Sequence, residues 1–166
     1  MNKKCKNSRN NHHGFTLVEL IITLAIAAIL VSVAVPSFRN IIQNNRASAQ
    51  ANEFLTALAW ARSEALKRGA TITIAPRDAA EWADGWDIRD NLGNNLLVNT
   101  GFSGGASITD TSAVSVANIS FNSRGFLVGG LPISFLSTIP DCTDNNARNI
   151  TIAATGRPAV TANACP

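Results

Sequence analysis

The sequence predicts an α+β chain: one long N-terminal α-helix followed by an antiparallel β-rich head. Three observations carry that prediction. Residues 15–35 form an apolar run of 21 residues with one charge, Glu19. Phe54, Leu55, Leu58, Ala61, Ala65 and Leu66 recur at helical spacing. From Ala70 onward the apolar period drops from 3.6 to 2, the period of strands with one buried face.

The chain opens with a polar leader, residues 1–14, that carries Lys3, Lys4, Lys6 and Arg9 and no acid. At about 1.5 Å of rise per residue, the run that follows makes a helix about 31 Å long, enough to cross the hydrocarbon core of a bilayer. The leader cations predict a cytoplasmic N-terminus, with everything after the span on the far side of the membrane. A carboxylate inside such a span is costly in lipid, so Glu19 calls for a functional reason. An ordinary secretory signal fits poorly. Its apolar region is usually about 7–15 residues, with a small-residue cleavage site close behind. Here the A-x-A-like Ala47-Ser48-Ala49 lies beyond a polar stretch at 39–46. A plain membrane anchor accounts for the length of the run but for neither Gly14-Phe15 nor Glu19.

Pro36 lacks an N–H and crowds the preceding turn, which predicts a bend or loosening of the helix there. Phe38, Ile41 and Ile42 continue the apolar stripe. Glu64 and Arg68 are placed to pair at i, i+4. Lys67 and Arg68 before Gly69 form a stop signal. The helix is therefore predicted over 15–68, membrane-spanning over 15–35, with the head at 69–166. Strands are predicted at 71–74, 85–89, 96–98, 114–116, 119–121, 126–128, 133–136 and 150–152, with a turn at 122–125. The Gly- and Ser-rich stretch 100–111 reads as a loop. A head of this size holds one small core.

The basic leader, Gly14, then Phe15-Thr16-Leu17-Val18-Glu19-Leu20 and an unbroken apolar helix together resemble the class III signal of type IV pilins and type II secretion pseudopilins. That resemblance implies a type IV pilin-like fold. It implies cleavage by a prepilin peptidase between Gly14 and Phe15, N-methylation of Phe15, and a mature chain of residues 15–166. It also implies that Glu19 faces the Phe15 amine of a neighbouring subunit in a filament. A buried carboxylate paired with a cation is tolerated where an isolated one is not, so assembly itself would satisfy the charge. In the head, residues 61–69 (Ala-Arg-Ser-Glu-Ala-Leu-Lys-Arg-Gly), Gly85-Trp86, residues 121–125 and Thr155-Gly156-Arg157 resemble the GspH/FimT group of minor pilins and pseudopilins. Trp86 and the apolar strand residues read as core.

Cleavage would change the charge of the chain. The full sequence has 14 basic and 11 acidic residues, a net +3. Without the four leader cations, 10 basic residues face 11 acids and the net becomes −1. A polyanion-binding protein is expected to leave a basic footprint, and bulk charge leaves none. Cys5 would leave with the leader, while Cys142 and Cys165 lie in the exported part, where disulfides form. In the resembled family such a pair staples the C-terminal region of the head. Here it would close a loop of about 24 residues and stabilise the fold by roughly 3 kcal/mol.

Some FimT-like proteins that bind DNA carry a C-terminal Gly-Arg-x-Arg motif. Gly156-Arg157-Pro158-Ala159 has Ala159 in place of the second arginine. Arg148 is the candidate companion to Arg157 in any DNA contact. The competing reading is a turn glycine followed by a solvated or ion-paired arginine. Both histidines, His12 and His13, are in the leader, which excludes Ser-His, Cys-His and His-metal chemistry from the mature chain. No catalytic residue, cofactor or metal site is expected, and Asp84, Asp87, Asp90 and Asn91 lack the spacing of a calcium loop. The function expected is a minor type IV pilin, processed by prepilin peptidase, held in the inner membrane and then assembled with other pilins. The alternatives are a type II secretion pseudopilin of GspH type and a DNA-binding competence pilin of FimT type.

Overall fold

The structure is a computed structural model that describes residues 15–78, 81–102 and 104–166. The leader and Gly14 lie outside the described residues. Helix α1 spans Leu17–Arg68, 52 residues, and continues through Pro36. The chain divides into two units, Met1–Arg39 and Asn40–Pro166, so the division falls inside α1.

In the first unit the apolar side chains of α1 have no partner surface among the described residues: Leu17, Leu24, Leu30 and Val33 are all more than half exposed. The second unit is built on the other half of the same helix. Ala47, Ala51, Phe54, Leu58, Ala61 and Ala65 are fully buried, three or four residues apart, and so line one face. Alanine along most of that face lets strands approach closely, while Phe54 supplies the bulk. Its ring meets Trp82, Trp86 and Phe135 edge-on, at centroid distances of 5.6, 5.0 and 5.7 Å. The stop signal acts as expected: Gly69 adopts φ +62° and ends the helix.

Eight strands follow: β1 (Ile72–Pro76), β2 (Trp86–Arg89), β3 (Asn95–Asn99), β4 (Ser107–Asp110), β5 (Ile119–Phe121), β6 (Ile133–Thr138), β7 (Ala147–Ile152) and β8 (Pro158–Asn163). They form two antiparallel four-stranded sheets, ordered β3-β2-β1-β5 and β4-β6-β7-β8. Alternation places Ile72, Ile74, Trp86, Ile88, Ile119 and Phe121 of the first sheet, and Phe135, Ile150 and Ile152 of the second, in one core with α1.

Four expectations change. The stretch 100–111 is not all loop, because β4 lies within it and Ile108 is buried while pairing with Ser137 of β6. No strand forms at 114–116. There the Asp110 carboxylate takes the N–H groups of Ser112 (2.8 Å) and Val116 (2.7 Å), in place of a neighbouring strand. Burial raises the Asp110 pKa, but the Ser112 hydroxyl and these N–H groups outweigh it and hold the carboxyl below its ordinary value. At 126–128 only a single bridge, Phe121 to Leu127, is made: the Asn122 N–H donates to the Phe126 carbonyl (2.9 Å) and the Val128 N–H to the Ser120 carbonyl (2.8 Å), and the chain then turns, with the Gly130 N–H donating to the Leu127 carbonyl (3.3 Å). Strand β8 was not foreseen; it begins at Pro158, a residue tolerated at a strand's first position and along an edge.

Candidate assembly site

At the start of α1, the Glu19 N–H donates to the Thr16 hydroxyl (3.1 Å). Thr16 is thus the N-cap and Glu19 the third helical residue, the spacing of a capping box. A carboxylate in the first turn also complements the helix dipole. The other polar side chains of the apolar run are satisfied locally: the Thr23 hydroxyl donates to the Leu20 carbonyl (2.8 Å) and Ser32 to that of Ile29 (2.7 Å). Among the described residues the Glu19 carboxylate has no hydrogen bond or ion pair. Phe15 is 85% exposed. The apolar stretch of α1 is long enough to cross a bilayer and none of it is buried, which a core helix would not show. The Thr-x-x-Glu spacing is the local signal for this cap.

The head residues that the sequence singled out fall into two groups at opposite ends of the second unit. At one end Cys142 and Cys165 are joined, with Cα atoms 5.7 Å apart. Here Arg148 is buried against α1, where it donates to the Asn44 side chain, to the Ser48 hydroxyl (2.9 Å) and to the carbonyls of Asn145 (2.9 Å) and Ala147 (2.8 Å). Arg157 lies in the turn at the far end of the β7–β8 hairpin. Arg148 pairs with Ala162 and Ile152 with Pro158, so four residues of β7, about 13 Å, separate the two arginines before the turn begins. The proposed pair does not come together, because Arg148 is an internal tie between β7 and α1.

At the other end, Arg62 explains why three separate motifs co-occur. Its Nε donates to the Gly125 carbonyl (2.9 Å) and its terminal nitrogen to the Thr155 carbonyl (3.2 Å), tying two turns to α1. Gly156, at φ +78°, faces the first of these turns, and a Cβ there would sit 2.0 Å from the Gly125 carbonyl oxygen. Gly156 is therefore a packing requirement. Arg157 and Arg124, beside these glycines, are exposed.

Two of the carboxylates considered for calcium, Asp87 and Asp90, are engaged otherwise. Asp87 is clasped by Arg89 (2.8 Å) and lies 3.9 Å from Arg77. Asp90 closes its turn through the side-chain and backbone N–H of Asn94 and the backbone N–H of Leu92. Those bonds hold its carboxyl below the ordinary value. Among the described residues no group of three His, Cys, Asp or Glu side chains is placed to hold a metal. Glu64 pairs with Arg68 (2.6 Å) and Lys67 (3.4 Å), and the Arg68 hydrogen bond foremost lowers its pKa.

The family described as type II transport protein GspH matches residues 50–156, and the prokaryotic N-terminal methylation motif matches residues 9–35. The fold is similar to that of the type IV minor pilin FimU of Pseudomonas aeruginosa, at 24% identity and a TM-score of 0.62 over 70% of this chain and 89% of that one. A second crystal form of FimU gives 25% identity and a TM-score of 0.59, over 69% and 91%. The minor pseudopilin EpsH from the type 2 secretion system of Vibrio cholerae matches at 16% identity and a TM-score of 0.52, over 70% and 97%. No curated protein sequence matches the chain.

Proposed function

Because this chain belongs to the GspH family and carries the N-terminal methylation motif, we propose that it is a minor type IV pilin. On this reading a prepilin peptidase cuts after Gly14 and methylates the amine of Phe15. The apolar half of α1 first spans the inner membrane, with the head on the periplasmic side. It is then extracted and packed among the equivalent helices of other pilins.

The observation that carries the reading is Glu19. In the span, Thr16, Thr23 and Ser32 are satisfied within the helix, and only the Glu19 carboxylate is left to find a partner among the described residues. A cationic amine from the next subunit supplies that partner at the moment of assembly. Glu19→Ala should leave cleavage after Gly14 intact, yet lower recovery of the chain in sheared filaments by about tenfold or more. Normal recovery would remove the role of Glu19. A photo-crosslinker at Asn52, on the exposed face of α1, separates the two machines. Capture of type IV pilins supports the pilus, and capture of secretion pseudopilins transfers the chain to type II secretion.

A further inference from the structure

The loop between β5 and β6, residues 122–132, carries an apolar surface that nothing among the described residues covers. Val128 and Leu131, with Val114 across from them, are each more than half exposed. With Val116, Pro132 and Ile133 they line a cleft of about 220 Å³, and no charged residue lines it. A single exposed apolar side chain is ordinary, whereas a contiguous group around a cleft marks a contact surface.

The same loop presents a different chemistry to a second cleft. Asn122, Arg124, Phe126 and Thr155 line this one, of about 380 Å³. The Asn122 side-chain oxygen already accepts the N–H groups of Arg124 and Phe126. Among the described residues, the Asn122 amide nitrogen, the Arg124 guanidinium and the Thr155 hydroxyl have no partner. Such a set of donors suits a carboxylate, which only accepts. Phe126 of one cleft and Val128 of the other are two residues apart, about 7 Å along extended chain, so one partner segment can reach both. Both walls are tied down. The Leu127 N–H donates to the Ala154 carbonyl (3.1 Å) and the Val128 N–H to that of Ser120 (2.8 Å), while Asp110 holds the Val116 N–H (2.7 Å). A surface fixed in advance loses little freedom on binding.

We propose that this two-part surface docks the head of a different pilin, which seats a large apolar side chain in the Val114–Val128–Leu131 cleft and sets a carboxylate against Arg124. The inference rests on the filament reading above and gives the chain one specified neighbour there. The strands and loops of a second copy lack the complement. Their other exposed large apolar side chains among the described residues are Leu92 and Val98. The acids beside these, Asp90 and Asp87, are already held by Asn94 and Arg89. A nucleic acid needs a track of cations along its backbone, and the apolar cleft offers none. The apolar contact supplies the affinity, and the ion pair selects against wrong partners.

The test uses the full chain in its native cell, with a photo-crosslinking side chain at position 131. The expected product joins that position to the head of another pilin or pseudopilin, in a peptide that contains a large apolar residue and an Asp or Glu. Val128→Asp and Arg124→Glu should each lower the yield about tenfold. Exchanging the partner's acid for Arg should restore capture by the Arg124→Glu chain. Both positions are exposed, so the unfolding midpoint of the head should not move. Links to a second copy of this chain, to nucleic acid or to a peptide without an acid overturn the contact, as does a charge exchange that restores nothing. If the chain is present in sheared filaments when this happens, the filament reading survives; if it is absent, both fall.

Discussion

Along residues 17–35 of α1 every large apolar side chain is at least 44% exposed, whereas between 47 and 65 one face of the same helix is at most 9% exposed. The two halves share a backbone geometry and differ in what surrounds them. The second half alternates its apolar face with Asn52, Glu53, Thr56 and Ser63, and buries that face under two sheets. The first half is apolar on all sides, and among the described residues nothing covers it. A helix of the second kind is stabilised by its own fold. One of the first kind is stable only in lipid or among other helices. The division of the chain at residues 39 and 40 follows this change of environment.

The largest expected effect is on the covered half. Phe54→Ala removes the ring that touches Trp82, Trp86 and Phe135, and should destabilise the head by about 3–5 kcal/mol in thermal or denaturant unfolding. Membrane insertion should be unaffected. The converse variant is Ile26→Arg, at the centre of the uncovered half. It should disfavour insertion by about 2.5–3.5 kcal/mol and leave the unfolding of the head unchanged. A drop in head stability with Ile26→Arg would show that the halves are not independent.

Gly156→Ala tests the Arg62 tie. The clash with the Gly125 carbonyl and the positive φ together should cost about 1–3 kcal/mol, read from the unfolding midpoint. The smallest effect is electrostatic. The folded pKa of Glu64 lies below its ordinary value of 4.5, so the stability it contributes is present above that value. That contribution is lost as pH falls through the lowered pKa, and Arg68→Ala should flatten the acid dependence.

Much of the architecture was legible because it is written locally. The apolar run, the 3.6-residue period, the Gly69 stop and most strands follow from residues a few positions apart. The misses have a common cause in long-range or side-chain competition. Strand β4 looked like loop until β6 supplied its partner. Residues 114–116 looked like a strand until Asp110 took the Val116 N–H. Arg148 looked available until Asn44 and Ser48 on α1 used its donors.

The sequence alone determined the apolar run, the one charge inside it and the order of helix before sheets, since each is written in residues close together along the chain. Only the tertiary structure decided what the head motifs are for. Arg62 reaches the Gly125 and Thr155 carbonyls across sequence separations of 63 and 93 residues. Spacing along the chain carries no record of such a meeting, because it exists only after two sheets have closed over one helix.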